Sequence, residues 1–337
     1  MGVTEQLHDE LNAISGSQHT AVTINSTARA GNDFLVLPRR YTKDTAIAGF
    51  LIDREDLLRE TLDVFDGQVD TIYVDIEQKK EISLFQTAKQ MLQHSRLEAL
   101  KPNDMAVEAC DMLIRQQFGD DVENRRIVII GTGNLASKIT LRLSERQARV
   151  YMLGRSRTKE QNVIDGLNTF VPAYSAPVRS FSELPDDGQP AAAVIAFIIG
   201  QFQEEARLLP YIGPETFLVD GGINNFSGQL IQQLTARGLT VTRLDVRLGL
   251  PYQLMAADNY ITEFFRDVFG KTEISGITLV AGGFIGEAGS VIVDSITRPG
   301  QIVGIADGKG GVKRHEHLTA ADEEAIRTIR DAFSVSL

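Results

Sequence analysis

Residues 125–159 hold the side chains and glycines best suited to chemistry in this chain. The run GTGNLA at residues 131–136 directly follows a short apolar run at residues 126–130 and fits the spacing G-x-G-x-x-A. In such a turn the first glycine permits a tight bend, the second lets the backbone approach a pyrophosphate, and the final small residue lets a helix pack closely. The pattern predicts a strand, a phosphate-binding turn and a helix. The candidate cofactor contacts are Gly131, Gly133, Asn134, Leu135 and Ala136.

The end of the next predicted strand, at residues 150–153, indicates which dinucleotide would bind. An NAD site usually places an acid roughly 20 residues after the glycines, where it accepts from the ribose 2′-hydroxyl. This sequence places Arg155, Ser156 and Arg157 there. Two guanidinium groups and a hydroxyl suit a 2′-phosphate dianion, so we predict NADP as the cofactor. The alternative is a solvated basic loop after an ordinary strand–helix–strand unit.

A lysine and an aspartate are the best candidates for proton transfer beside a nicotinamide ring. Lys79 follows a strand predicted at residues 69–77, and Asp104 opens a helix predicted at residues 103–118. Both lie at the ends of elements, where binding groups meet a cleft, and we expect Asp104 to orient Lys79. The alternative is that Lys79 belongs to an exposed charge cluster and Asp104 only caps its helix. None of the five histidines has the neighbours of a metal site, so no metal is predicted.

Alternating strands and helices predict the fold that must position these residues. The fold class is α/β with two domains, in which a small N-terminal α/β domain precedes a doubly wound parallel sheet of the Rossmann type. A C-terminal extension with short strands and a closing helix follows. The predicted bounds are 1–120, 121–268 and 269–337. A helix followed by a loop is expected in residues 1–32, and a helix at residues 44–52.

The composition indicates in which compartment the protein works and which classes of partner it can bind. With 34 basic and 45 acidic residues the formal charge is −11, which disfavours binding to nucleic acid or to an anionic membrane. The single cysteine, Cys110, excludes an internal disulfide framework, and its position on an apolar helical face predicts a buried thiol. The acidic, polar N-terminus does not resemble a signal peptide, so we expect a cytoplasmic protein. The expected partner is a small-molecule substrate, with a homodimer as one possible assembly.

The order of the parts and several motifs resemble the superfamily that contains shikimate dehydrogenase and methylene-tetrahydrofolate dehydrogenase. Shikimate dehydrogenases carry N-V-T-x-P-x-K at the end of a first-domain strand, and residues 73–79 are similar in spacing, with Val74 and Lys79 in place. Their N-T-D motif, at the head of the helix that enters the nucleotide domain, resembles residues 101–104, which end in Asp104. The resemblance implies an NADP-dependent dehydrogenase of a small polar, carboxylated hydroxy or keto compound, with Lys79 as the acid/base.

Two further segments extend the resemblance. Residues 154–158 are similar to the NADP loop of the family, and residues 220–224 are similar in position to the strand end that closes the nicotinamide pocket. The second match makes Gly222 a further cofactor candidate. Residues 55–77 are similar to the helix-then-strand segment of the folate dehydrogenases. That match leaves reaction at a carbon–nitrogen centre as an alternative, and a non-catalytic NADP-binding sensor is a third.

Overall fold

The computed structural model describes residues 2–27, 33–42, 44–256 and 259–333. The chain forms two compact units, Met1–Gln253 and Leu254–Leu337. The first unit holds two β-sheets and the second holds a third sheet. The fold class predicted from the sequence is confirmed, whereas the three domain bounds stay a prediction.

The first sheet is built from the elements that precede residue 119. In chain order these are α1 (Val3–Ile14), β1 (His19–Asn25), β2 (Phe34–Tyr41), β3 (Thr45–Ile52), α2 (Glu55–Phe65), β4 (Thr71–Asp75), α3 (Leu84–Met91), β5 (Arg96–Leu100) and α4 (Pro102–Phe118). The strand order is β2-β3-β1-β4-β5, in which β2 runs antiparallel to β3 and the other neighbours are parallel. The carboxyl ends of β1, β3, β4 and β5 therefore share one edge of the sheet.

One helix prediction in this part is wrong. Residues 44–52 were expected to be helical, but Thr45–Ile52 is the strand β3, buried along most of its length between β1 and β2. A short apolar run that is covered on both faces has no alternation to reveal a strand, so its period does not distinguish strand from helix. The helix predicted at residues 103–118 is confirmed as α4, with Pro102 in its first turn.

The second sheet has the doubly wound order. Its elements are β6 (Arg126–Ile130), α5 (Asn134–Glu145), β7 (Arg149–Leu153), α6 (Arg157–Asn168), β8 (Arg179–Ser180), β9 (Ala193–Ala196), β10 (Phe217–Asp220), α7 (Gly228–Ala236) and β11 (Val241–Arg243). The strand order is β11-β10-β9-β6-β7-β8, and all neighbours are parallel. The order reverses between β6 and β9, which is where such sheets bind ligands.

Alternate residues of β6 face two separate cores. Ile127 and Ile129 lie in one core, and Val128 and Ile130 lie in the other. The first of these cores also contains Cys110 of α4, whose side chain is fully buried. Burial raises the pKa of the Cys110 thiol far above its ordinary value, which agrees with an inert structural cysteine.

The second unit contains the third sheet. After α8 (Leu250–Ala256), which spans the division between the units, the elements are α9 (Asn259–Glu263), β12 (Gly270–Ile274), β13 (Ile277–Ala281), β14 (Val291–Val293), β15 (Ile302–Ile305) and α10 (Ala320–Phe333). The strand order is β12-β13-β14-β15, and α10 contributes Ile329 to the core of this sheet. In the described part of the chain, no helix combines the length and the apolar character needed to cross a bilayer.

Candidate nucleotide and lysine sites

The turn after β6 requires glycine at its first position. Gly131 has a φ of +132°, and a Cβ atom there would lie 2.3 Å from the carbonyl oxygen of Phe197. The same Cβ would lie 3.3 Å from the Cβ of Ala136, which is buried in the first turn of α5. The Gly131 N–H donates to the carbonyl of Leu153 at the end of β7, at 2.9 Å. Gly131 and Ala136 therefore hold the tight strand–turn–helix geometry that the motif predicts.

The second glycine leaves the backbone accessible where α5 begins. Gly133 is the N-cap residue and makes no side-chain cap, and a Cβ on it would meet no atom within 4 Å. The first N–H groups of a helix lack intrahelical acceptors and lie at the positive end of the helix dipole. Asn134 is exposed, while the side chain of Leu135 is half-buried and packs against the core. This geometry fits a pyrophosphate bound by the backbone of the turn.

A cavity of about 310 Å³ opens at the carboxyl ends of β6, β7 and β9, and we call it the nucleotide pocket. Its walls are the glycine turn, the residues that follow β7 and the loop that follows β9. It lies where the strand order reverses, as expected for a ligand site in a doubly wound sheet. The residues that line it are 130–133, 153–155, 197–199 and 201–204.

One of the basic residues after β7 lies at this pocket. Arg155 lines it, and both Arg155 and Arg157 are exposed. Within the described ranges, neither guanidinium group has an ion-pair partner. Ser156 is the N-cap of α6, and its hydroxyl accepts from the Lys159 N–H at 3.4 Å. The pocket wall therefore includes one exposed cation, Arg155, and the N-terminus of α6 with the exposed Arg157 follows directly in the chain.

An acid that follows β7 is held by protein groups. Glu160 is buried, and its carboxylate accepts from the Gly154 N–H at 2.6 Å and from the Ser180 hydroxyl at 2.5 Å. A Cβ on Gly154 would lie 2.6 Å from the Cγ2 of Thr132, so the end of β7 packs tightly under the glycine turn. Both oxygens of Glu160 thus stabilise this loop and are already occupied by hydrogen bonds.

Gly222 lies in a tight loop after β10. A Cβ there would lie 2.3 Å from Oδ1 of Asn225 and 2.6 Å from the carbonyl oxygen of Ile198. The carboxylate of Asp220 accepts from the N–H groups of Gly222 and Asn225 at 3.2 and 3.0 Å. The next residue, Ile223, has a φ of +63°, which is an unfavourable conformation for a β-branched residue. These contacts give a packing reason for the glycine, and its contact with a cofactor stays a prediction.

Lys79 lies just beyond β4, at the carboxyl edge of the first sheet. Its Nζ is 2.7 Å from a carboxylate oxygen of Asp75 and 2.9 Å from one of Glu77. The Asp75 side chain has no exposed surface, and Glu77 accepts from the N–H of Asn103 in the first turn of α4. In the described structure Lys79 therefore pairs with Asp75 and Glu77 and not with Asp104, which corrects the pairing expected from the sequence.

A second lysine adjoins this pair. Nζ of Lys80 lies 3.3 Å from the carboxylate of Asp53, which directly follows β3. We call Asp53, Asp75, Glu77, Lys79 and Lys80 the lysine cluster. A cavity of about 180 Å³ is lined in part by Asp75 and Glu77. Over the ranges that the structure covers, no three His, Cys, Asp or Glu side chains are grouped to hold a metal ion.

Asp104 belongs to a row of ion pairs between α4 and α5. Its carboxylate pairs with Lys101 at 2.5 Å and with a lysine of α5. Acids near one face of α4 pair with bases spaced four residues apart along α5 and its C-cap residue, so the two helices run parallel and begin at the same end. The pairs of this α4–α5 row are Asp104–Lys138, Glu108–Arg142 and Asp111–Arg146. Asp104 thus joins two helices, and a role for it toward substrate stays a prediction.

The row of ion pairs also relates the lysine cluster to the glycine turn. The first turn of α4 contacts Glu77 through Asn103, and the first turn of α5 follows Gly133. Asp104, in the first turn of α4, pairs with Lys138 at the start of the second turn of α5. The cluster and the turn therefore lie at the same end of two adjacent parallel helices.

Several residues of both sites are not predicted by the sequence. The loop after β9 forms a wall of the nucleotide pocket, and its position next to the reversal of strand order is the signal that predicts such a role. Asp75 and Glu77 lie within the strand predicted at residues 69–77. Their alternation with Ile76 is visible in the sequence, but alternation alone does not show that acids at a strand end face a lysine.

No family model and no curated protein sequence matches this chain. Several solved structures are similar at 10–11% identity. The A chain of dipicolinate synthase from Bacillus subtilis has 11% identity and a TM-score of 0.37, over 74% of this chain and 98% of that one. L-Tryptophan dehydrogenase from Nostoc punctiforme has 11% identity and a TM-score of 0.42, over 72% and 75%. The catalytic subunit of aspartate transcarbamoylase from M. jannaschii has 10% identity and a TM-score of 0.42, over 76% and 93%. Similarity of this degree assigns no activity.

Proposed function

We propose that this protein is an NADP-dependent oxidoreductase that transfers a hydride to or from a small polar substrate. The observation that carries the proposal is the nucleotide pocket, in which the glycine turn and Arg155 face one cavity at the reversal of strand order. The substrate we put first is a hydroxy or keto compound, as the resemblance to shikimate dehydrogenases implies.

The choice of NADP over NAD depends on the charges beside β7. A 2′-phosphate dianion is best held by guanidinium groups, whereas a ribose 2′-hydroxyl needs a carboxylate acceptor. Arg155 lines the pocket, and the carboxylate of Glu160 already accepts from Gly154 and Ser180. The charged side chain that follows β7 and lines the pocket is therefore a cation.

Lys79 is the residue we assign to proton transfer. When bound, the nicotinamide supplies or takes the hydride. The ammonium group of Lys79 can donate a proton to the substrate oxygen as its bond to carbon becomes single, and the free amine can accept that proton in the reverse direction. Its position at a strand end, on the side where α4 and α5 both begin, supports this role.

A second candidate substrate has an amine in place of the hydroxyl. The lysine cluster holds three carboxylates, Asp53, Asp75 and Glu77, against two lysines, so both ammonium groups already have anionic partners. A substrate that becomes cationic at nitrogen gains from this excess of negative charge, whereas a carboxylated substrate does not. This charge balance favours reaction at a carbon–nitrogen centre as the alternative to reaction at a hydroxyl or keto group.

The test of the cofactor assignment compares two cofactors and two variants. Calorimetric titration should show that Arg155→Ala raises the dissociation constant for NADPH at least tenfold and changes that for NADH little. Only NADPH carries the 2′-phosphate that the guanidinium group would bind. Arg179→Ala is a matched control, since Arg179 is exposed at the amino end of β8 in the same sheet. Equal losses for both cofactors, or no binding of either NADP⁺ or NADPH to the wild type, would contradict the proposal.

The substrate class is decided by turnover. Purified protein with NADP⁺ is offered small hydroxy acids, amino acids, other amines and methylene-tetrahydrofolate, and NADPH absorbance is followed. Turnover with a hydroxy acid supports the first candidate, and turnover with an amine or the folate supports the second. Tight NADPH binding without turnover on any of them would indicate a non-catalytic sensor.

A further inference from the structure

We propose that Asp75 and Glu77 are the residues that position Lys79 for proton transfer, each in a different way. This inference rests on the proposed function, because Lys79 is the residue there that moves the proton. Two carboxylates hold one ammonium group, and each carboxylate is anchored to a different part of the backbone.

The carboxylate of Asp75 is held in place by hydrogen bonds that do not involve Lys79. As the last residue of β4 it has a fully buried side chain, which accepts from both the N–H and the hydroxyl of Ser26 at 3.2 Å. Its other oxygen accepts from the Glu77 N–H at 2.8 Å. Because Ser26 directly follows β1, these bonds tie the carboxylate to the neighbouring strand. A buried carboxylate with this many donors has a single orientation, and Lys79 completes it at 2.7 Å.

Glu77 connects the same ammonium group to α4. Its two carboxylate oxygens lie 3.2 and 3.1 Å from the N–H of Asn103, which is near the positive end of the α4 dipole. One of these oxygens also lies 2.9 Å from Nζ of Lys79. Glu77 thus holds Lys79 at a fixed position relative to α4. The first ion pair between α4 and α5 lies near the glycine turn.

The neighbouring lysine offers an internal comparison. Lys80 is one residue further along and pairs with Asp53, a carboxylate that follows a different strand. Removal of Asp75 or Glu77 should therefore affect Lys79, and removal of Asp53 should affect Lys80. A general loosening of the sheet would affect both lysines together.

The experiment measures how fast each lysine reacts with acetic anhydride in the intact protein. The reagent attacks only a free, unprotonated amine, so a lysine held between carboxylates reacts slowly. Fragmentation in the mass spectrometer separates Lys79 from Lys80, and the exposed Lys89 serves as the reference. We expect Asp75→Asn and Glu77→Gln each to raise the rate at Lys79 at least threefold and to leave Lys80 unchanged. Asp53→Asn should raise the acetylation rate at Lys80 and leave that at Lys79 unchanged.

Two further variants separate positioning from folding. Glu77→Asp keeps a carboxylate and should keep Lys79 slow, whereas Asp104→Asn should leave the rate at Lys79 unchanged. If Asp75→Asn does not fold, Glu77→Gln still decides the matter, because the Glu77 side chain is partly exposed. Unchanged acetylation of Lys79 in the folded variants, or an equal rise in Asp104→Asn, would overturn the inference.

The same variants distinguish failure of this inference from failure of the proposed function. If the function holds, Asp75→Asn and Glu77→Gln should lower kcat at least tenfold while the dissociation constant for NADPH stays unchanged. Faster acetylation of Lys79 without loss of kcat would overturn the positioning role alone. If the wild type shows no turnover with any substrate, the acetylation pattern still tests the arrangement of Lys79, and the assignment as an oxidoreductase fails by itself.

Discussion

Asp66 is a residue at which one carboxylate accepts several backbone hydrogen bonds beside the first sheet. It follows α2 and accepts from the backbone N–H groups of Gln93, His94 and Ser95 at 2.8–3.0 Å. Burial raises the pKa of Asp66, but these hydrogen bonds and the one from the His94 ring outweigh it and bring the pKa down to about 2. The charged carboxylate therefore stabilises the loop that leads into β5.

This shift predicts acid sensitivity. The folded-state pKa lies below the unfolded value of 3.8, so the stabilisation is present above about pH 4 and is lost as the pH falls toward 2. Denaturant unfolding should show that the wild type loses about 2 kcal/mol more between pH 5 and pH 2 than Asp66→Asn does. Asp63→Asn, on the exposed side of α2, should keep the wild-type pH dependence. Parallel curves for wild type and Asp66→Asn would contradict this account.

Single residues show both the reach and the limit of sequence reasoning. The glycine turn was predictable because backbone geometry fixes which residue types fit, as the 2.3 Å approach of Phe197 to a Cβ on Gly131 shows. The partner of Lys79 was not predictable in the same way. Asp75, Glu77 and Asp104 all lie near element ends, and only the path of β4 decides which carboxylates reach the ammonium group.

At the scale of elements, the pairs of the α4–α5 ion-pair row differ in how deeply they are buried. At one end Asp104 is well exposed, and at the other Asp111 is buried with its carboxylate 2.7 Å from Arg146. Exposed ion pairs stabilise little because water and salt screen them, whereas a buried charge that loses its partner is costly. The buried end should therefore stabilise the helix pair more than the exposed end.

This gradient can be measured with one substitution at each end. We expect Asp111→Ala to lower the free energy of unfolding by about 2–4 kcal/mol, because it removes a buried carboxylate and leaves Arg146, among the described residues, with only the exposed Asp120 as an ionic partner. Asp104→Ala should lower it by about 1 kcal/mol or less. Urea denaturation of the two variants beside the wild type gives both values. Equal losses would show that burial does not govern the strength of this row.

The elements themselves were predictable where a motif or an amphipathic period marked them. The strand–turn–helix–strand from β6 to β7, the helix α4 and the strands β13, β14 and β15 follow the sequence closely, whereas β12 is not marked by its sequence. The sequence predicts a helix where the strand β3 lies and a loop where β1 lies, and both predictions are wrong. Both segments are strands of the first sheet whose buried residues have no simple alternation, so their structure depends on neighbours distant in the sequence.

At the scale of the whole molecule, every residue assigned to chemistry lies in one unit. The nucleotide pocket and the lysine cluster both fall within Met1–Gln253, which also contains the first two sheets and their cores. Leu254–Leu337 has a separate core built on its own sheet. The affinity for a nucleotide should therefore be a property of the first unit.

A fragment of residues 1–253 tests directly whether the first unit alone binds the nucleotide. We expect it to fold and to bind NADPH with a dissociation constant within about threefold of the full chain, a difference of less than about 1 kcal/mol. Calorimetric titration of fragment and full chain gives the comparison, and circular dichroism confirms that the fragment is folded. Arg155→Ala within the fragment should weaken NADPH as it does in the full chain, because the same guanidinium lines the same pocket. A folded fragment that does not bind NADPH would mean that residues 254–337 supply part of the nucleotide site.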